Sequence, residues 1–326
     1  MPGLSFQIGI YAPAGAVRDL WALQRAEAFL KAAGHVVCVD SAACNRAERF
    51  AGSDAERLDA VTRMREDARI ELALAARGGY GWSRLLDQLD YAAFAHDATF
   101  WLGHSDFTAF QLALLARAGR VTFAGPMACS DFGAPQVSSF TFQHCFDLLA
   151  AMRSGDTSDA HAFTCRLESA GASRTLDVEG ILWGGNLTMV THLLGTPYFP
   201  EIENGILFLE DVGEHPYRIE RMLYQLLYSG VLARQQVVLL GAFSAIRLVE
   251  HDCGYDLAAA VRHIREKSCV PFLSGLPFGH VRDKLTLPVG AICRLTLADD
   301  GAATLRFRMP AGKQAESMRE ARKDIS

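Results

Sequence analysis

Over residues 6–152 the chain alternates short apolar runs with stretches of helical spacing, and Gly- or Pro-containing breakers follow several of the runs. Phe6–Tyr11, His35–Val39, Ile70–Ala75, Thr99–Leu102 and Val121–Ala124 read as strands. Val17–Ala33, Arg57–Asp67, Trp82–Leu89, Phe107–Ala118 and Phe142–Met152 read as helices. In the first of these, Leu20, Leu23, Ala26, Phe29 and Leu30 share one face, with Arg18, Arg25 and Lys31 off it. Strands joined through helices run parallel, and a parallel sheet must be covered on both faces. The expected fold is therefore α/β, a doubly wound parallel sheet. Such sheets bind ligands beyond the carboxyl ends of their strands, which is where the Gly-rich loops fall.

A change of texture marks a boundary. Arg153-Ser-Gly-Asp-Thr-Ser-Asp and Ala170-Gly-Ala-Ser are small and polar, unlike what flanks them. This predicts a first domain over 1–155, a linker over 156–176, a second, smaller mixed α/β domain over 177–310 and a charged tail over 311–326. In the second domain Ile206–Leu209, Val237–Leu240 and Pro271–Ser274 read as strands, and Tyr217–Tyr228 and Ala258–Lys267 as helices. Asp299-Asp300-Gly301 is a hairpin turn signal between Ala291–Leu297 and Ala303–Arg308.

Charge and hydropathy exclude several classes of function. The 326 residues carry 32 Lys+Arg against 37 Asp+Glu, a net −5 with no basic block, which argues against a nucleic-acid partner. No apolar stretch is long enough to span a bilayer, and no secretory signal opens the chain, so a cytoplasmic location without a membrane partner is expected. Eight cysteines with no C-x-x-C pair read as reduced and mostly buried.

Four strand ends carry residues suited to chemistry. In Gly103-His104-Ser105-Asp106-Phe107-Thr108 a strand turns sharply into a helix. That corner projects a serine hydroxyl into the crevice and leaves the next N–H free at a helix N-terminus, although Ser105 or Asp106 as a plain helix cap fits the same pattern. Arg77-Gly78-Gly79-Tyr80-Gly81 lets backbone N–H groups approach a ligand and lacks a nucleotide-loop frame. Glu210 and Asp211 end an apolar strand, where buried carboxylates need partners. With Glu214 and His215 they make a poor metal frame, so no metal is expected, and one of Asp211 and Glu214 is expected to cap the helix after Pro216. Gly275-Leu276-Pro277-Phe278-Gly279-His280 places an imidazole after the strand Pro271–Ser274. Ser105, Glu210 and His280 are thus expected on three strand ends, as a hydrolytic triad requires.

At this point the sequence resembles the muramoyltetrapeptide LD-carboxypeptidase family, serine peptidases that include the microcin C immunity peptidases. The resemblance runs from Gly9-Ile-Tyr-Ala-Pro-Ala-Gly to Leu287-Pro-Val-Gly. It rests on Arg77-Gly-Gly-Tyr-Gly, Gly103-His-Ser-Asp-Phe-Thr, Gly184-Gly-Asn-Leu-Thr, Gly195-Thr-Pro-Tyr, Leu207-Phe-Leu-Glu-Asp, Pro216-Tyr-Arg-Ile-Glu-Arg-Met-Leu and Pro277-Phe-Gly-His. It implies a Rossmann-like N-terminal domain, a smaller mixed-sheet C-terminal domain and a triad where they meet. Ser105 would be the nucleophile, Glu210 the orienting carboxylate, His280 the general base, and the N–H groups of Asp106 and Gly79 (or Gly78) the oxyanion hole. Arg77, His104, Trp183 and Asn186 would contact a murein peptide, and His104 replaces an aromatic residue common in the family. The implied reaction releases terminal D-alanine from the murein tetrapeptide during cell-wall recycling, without a cofactor, in a homodimer. An immunity-type peptidase acting on an aminoacyl-nucleotide, with Trp82 or Trp183 stacking on the base, is the first alternative. A non-catalytic wall-peptide binding protein is the second.

Overall fold

The computed structural model describes residues 5–154, 162–169 and 175–310. The chain is α/β, as expected, and its strands sort into two sheets. The first has the order β2-β1-β3-β4-β5-β12. Here β1 (Gln7–Tyr11), β2 (Val36–Val39), β3 (Leu72–Ala75), β4 (Phe100–Gly103) and β5 (Thr122–Ala124) are mutually parallel, and β12 (Leu287–Val289) closes the edge antiparallel to β5. The helices are α1 (Leu20–Ala32), α2 (Asp54–Glu66), the single turn α3 (Tyr91–Phe94), α4 (Phe107–Ala118) and α5 (Ser139–Ser154). Alternate strand residues enter opposite cores: Ala73, Ala75 and Trp101 on one face, Leu72, Leu74 and Phe100 on the other. Both faces are therefore buried, which is why these strands read as continuous apolar runs rather than alternating ones.

The second sheet has the order β6-β14-β13-β8-β9-β10-β11-β7. Its centre is parallel: β8 (Leu176–Asn186), β9 (Gly205–Val212), β10 (Gln235–Ser244) and β11 (Phe272–Ser274). β6 (Ala162–Arg166), β7 (Glu168–Ser169), β13 (Ile292–Leu297) and β14 (Ala302–Arg308) flank it antiparallel. Helices α6 (Leu187–His192), α7 (Pro216–Tyr228) and α8 (Leu257–Lys267) complete this unit. The β13–β14 hairpin turns at Asp299-Asp300-Gly301 as its composition predicts.

Several expectations are corrected. The segment 156–176 is not simply a linker, because β6 and β7 lie in it and pair with β14 and β11. Nor does 177–310 stay in one sheet: after β11 the chain returns to the first sheet as β12 before re-entering the second. Trp82–Leu89 forms two 3-10 turns, Trp82–Arg84 and Leu86–Gln88, instead of a helix. The cause is tertiary: Asp106 accepts the Trp82 N–H at 2.9 Å, Arg57 binds the Gly81 carbonyl at 3.0 Å, and the Trp82 ring stacks on Phe110. All eight cysteines are free, but only Cys145 and Cys293 are buried. The charged tail 311–326 lies outside the described residues.

Candidate active site

Three loops at the carboxyl edge of the first sheet converge. The loop after β1 meets the loop after β3 through Gly15 N–H donating to the Gly78 carbonyl at 3.3 Å, and the latter packs on the turn after β4. In that turn Ser105 sits at φ +68°, a left-handed conformation that strains any residue with a Cβ. Gly78 is required by this approach, since a Cβ there would lie 2.9 Å from Ser105 Cβ. The sharp turn at once starts α4. The N–H groups of Gly79, which follows Gly78 in the chain, and of Asp106, which follows Ser105, bond to nothing among the described residues.

Asp106 occupies the cap position of α4, yet its side chain caps nothing. Its Oδ2 instead accepts from Trp82, tying the 78–82 loop to the helix, while Oδ1 is buried with no hydrogen bond among the described residues. Burial pushes this carboxyl up to about 6, against the partial relief of the Trp82 and Gly81 N–H groups and of Arg57 and Arg49. A carboxyl whose folded pKa exceeds its unfolded value costs nothing below the unfolded pKa and destabilises increasingly as pH rises through the folded one. Asp106→Asn, which keeps an acceptor for Trp82, is therefore expected to raise stability at pH 8 by up to about 3 kcal/mol and to have little effect near pH 4. Melting temperatures of both proteins across that range check it; equal shifts at both ends would contradict the assignment.

The second sheet delivers the acid and the imidazole. β8 runs against α4 so closely that a Cβ on Gly185 would lie 2.5 Å from Thr108 Oγ1, which accepts the Asn186 N–H at 3.1 Å. Glu210 is the register partner of Asn186 and is fully buried. Its Oε1 accepts from Asn186 Nδ2 at 3.2 Å, and its Oε2 pairs with His280 Nδ1 at 2.7 Å. A buried carboxylate accepts, so His280 carries its proton on Nδ1 and leaves Nε2 as a base. The Ser244 hydroxyl, donating to the His280 carbonyl at 3.3 Å, steadies the loop. The His280 ring lies 5.0 Å, centroid to centroid, from that of His104, the residue before Ser105. Ser105 Oγ makes no hydrogen bond among the described residues, and such contacts often tighten only when substrate is bound.

The other candidate residues divide. His104 is nearly buried, with Nδ1 2.8 Å from the Gly125 carbonyl; burial, followed by Lys284 and His280, holds its pKa well below the usual value. It is a neutral wall of the cleft. Arg77 donates from Nη1 to the Ala16 carbonyl at 2.7 Å and stands beside Gly15 and Gly79. Trp183 does not reach the cleft: it is fully buried, bonds Gln235 Oε1 at 2.8 Å and packs on Phe199. Trp82 is equally buried under α4. Asn186 is likewise committed elsewhere. Besides Glu210 it binds Asp211 Oδ1 at 2.9 Å, and its Oδ1 caps α6 through Met189 N–H, so it positions carboxylates rather than substrate. Neither Asp211 nor Glu214 caps α7. His215 does, and Asp211 accepts from Thr188 at the start of α6.

Two residues were missed in the sequence. Lys284 and Asp131 form a buried ion pair behind His104, and the one signal was a lysine leading into the apolar run 285–289.

A serine in a strained turn, an unbonded N–H following it at a helix start and an imidazole held by a buried carboxylate are the parts of a serine hydrolase. The chain belongs to the LD-carboxypeptidase family, whose N-terminal domain matches residues 8–125 and C-terminal domain residues 179–295. It is a serine-type carboxypeptidase. A probable murein peptide carboxypeptidase of Bacillus subtilis is 31% identical over 296 residues, 90% of each chain. The crystal structure of a muramoyltetrapeptide carboxypeptidase from Oxalobacter formigenes is 41% identical with a TM-score of 0.83, covering 94% of this chain and all of that one. The microcin C7 self-immunity protein of Escherichia coli is 26% identical over 272 residues, 73% of this chain and 75% of its own. No helix among the described residues is long and apolar enough to cross a membrane.

Proposed function

We propose that the protein hydrolyses the L-to-D peptide bond of the murein tetrapeptide, releasing terminal D-alanine, in the cytoplasm during cell-wall recycling and as a homodimer. Ser105 is the nucleophile, His280 the general base, Glu210 the group that orients it, and the N–H groups of Gly79 (or Gly78) and Asp106 bind the oxyanion. His280 Nε2 takes the Ser105 proton as Oγ attacks the scissile carbonyl. The carbonyl oxygen gains its negative charge between fixed N–H donors, each worth about 3 kcal/mol in comparable sites. The imidazolium, stabilised by Glu210, then protonates the leaving amine, and water repeats the attack on the acyl-enzyme. No step calls for a cofactor.

The observation that carries this reading is the 2.7 Å contact between His280 Nδ1 and Glu210, with the His280 ring 5.0 Å from that of His104, the residue before Ser105. The murein-peptide enzymes among the relatives support the substrate. The immunity-type alternative loses its expected stacking residues, since Trp82 and Trp183 both lie in the core.

The test has two arms. A fluorophosphonate is expected to label the protein at Ser105, mapped by mass spectrometry, and tetrapeptide with lysine or diaminopimelate at its third position is expected to release D-alanine. Labelling at another residue would overturn the nucleophile. Cleavage of an aminoacyl-nucleotide analogue in preference to both peptides would overturn the substrate.

A further inference from the structure

A cavity of about 610 Å³ opens beside His280, between the segment 127–141 and the segment 280–284. Its two sides are stapled together. Lys284 Nζ pairs with Asp131, the Lys284 N–H donates to Thr141 Oγ1 at 2.9 Å, and that hydroxyl donates to the Arg282 carbonyl at 2.9 Å. Met127, Phe132, Pro135 and Val137 make much of the lining apolar. His104, neutral, adds no charge to the wall. Arg282 lines the cavity with an exposed side chain, and no carboxylate pairs with its guanidinium among the described residues.

The chemistry fixes what enters this side. The leaving nitrogen takes its proton from the imidazole, so the leaving residue lies on the His280 side of the scissile bond, and the oxyanion on the Gly79 side. The leaving residue of a carboxypeptidase ends in a free carboxylate. Lys284 is already neutralised by Asp131, and Arg77 stands with the oxyanion-side loops, so Arg282 is the cation facing that carboxylate. A volume of about 610 Å³ falls in the range of pockets that hold drug-sized ligands, well beyond the six heavy atoms of D-alanine.

We propose that this cavity is the leaving-residue subsite, that Arg282 holds the C-terminal carboxylate there, and that the apolar wall admits D-residues larger than alanine. The inference rests on the triad reading above and extends it to a substrate class: peptides ending in a bulky apolar D-residue.

The experiment compares murein tetrapeptides ending in D-alanine and in D-leucine, each as free acid and as C-terminal amide. The enzyme is expected to cleave the D-leucine acid within tenfold of the D-alanine acid and to prefer acids over amides. Arg282→Gln shrinks that preference on the order of 10- to 100-fold, the scale of hydrogen bonds to a charged group, whereas Arg77→Gln preserves it. Ala134→Trp, narrowing the cavity, lowers D-leucine release at least tenfold relative to D-alanine. An unchanged preference in Arg282→Gln, or its loss in Arg77→Gln, overturns the carboxylate assignment with peptide cleavage intact. Exclusion of D-leucine by the unsubstituted enzyme overturns the subsite's breadth. Failure to cleave any of the four peptides overturns the reaction itself, and this inference with it.

Discussion

Ser105→Ala is expected to lower turnover of the tetrapeptide by roughly 10⁴- to 10⁶-fold, with the folded protein intact. Ser105 stands at the start of α4 before an N–H that bonds to nothing among the described residues, and the catalysis that survives loss of a serine nucleophile comes only from binding and oxyanion stabilisation. Ser105→Gly separates chemistry from strain. Both variants lack the hydroxyl, but alanine at φ +68° keeps the left-handed strain and glycine relieves it. The glycine variant is therefore expected to be about 1 kcal/mol more stable than the alanine variant and equally inactive. Single-turnover assays with thermal denaturation check both parts. Activity within a hundredfold of the parent enzyme in either variant would remove Ser105 from the mechanism.

Glu210→Gln is expected to cost about 10³- to 10⁴-fold in kcat. Glu210 is fully buried and accepts from Asn186 on one oxygen and from His280 on the other. A glutamine can accept on only one of them. If its amide N–H₂ faces His280, the ring must present a lone pair there and carry its proton on Nε2, where it cannot act as a base. If it faces Asn186, two donors meet in a buried site. Substrate binding changes little in either case, so the loss falls on kcat rather than KM. A variant within tenfold of the parent in kcat would show that the carboxylate does not control the imidazole.

The strand–helix alternation of the first half was readable because a sheet buried on both faces leaves continuous apolar runs, and each strand is local in the chain. Ser105, Glu210 and His280 stood out because strand ends beside glycines or tight turns are where such sheets place chemistry, and the structure joins Glu210 to His280. What stayed hidden was non-local. The strands β6 and β7 lie between two small, polar stretches and exist because β14 and β11 offer edges to pair with. Trp82–Leu89 has helical spacing, but Asp106 and Arg57 claim the backbone groups where it would begin. Trp183 looked like a binding residue because it neighbours glycines, yet Gly184 serves the close approach of β8 to the Phe208 backbone of β9 and Gly185 its approach to α4. Asn186 lies in the same motif, and nothing in its local sequence shows that Glu210 is its cross-strand neighbour.

The return of β12 to the first sheet has a consequence for how such enzymes can be recombined. The polypeptide passes from first sheet to second, back to the first and again to the second, so no single cut yields two complete halves. A chimera joining the front of one relative to the back of another near residue 155 would carry the donor's β12 against the recipient's β5, and with it the segment that sets where His280 meets the cleft. Grafts that respect the topology must exchange two separate pieces, keeping residues 281–289 with the sheet they join.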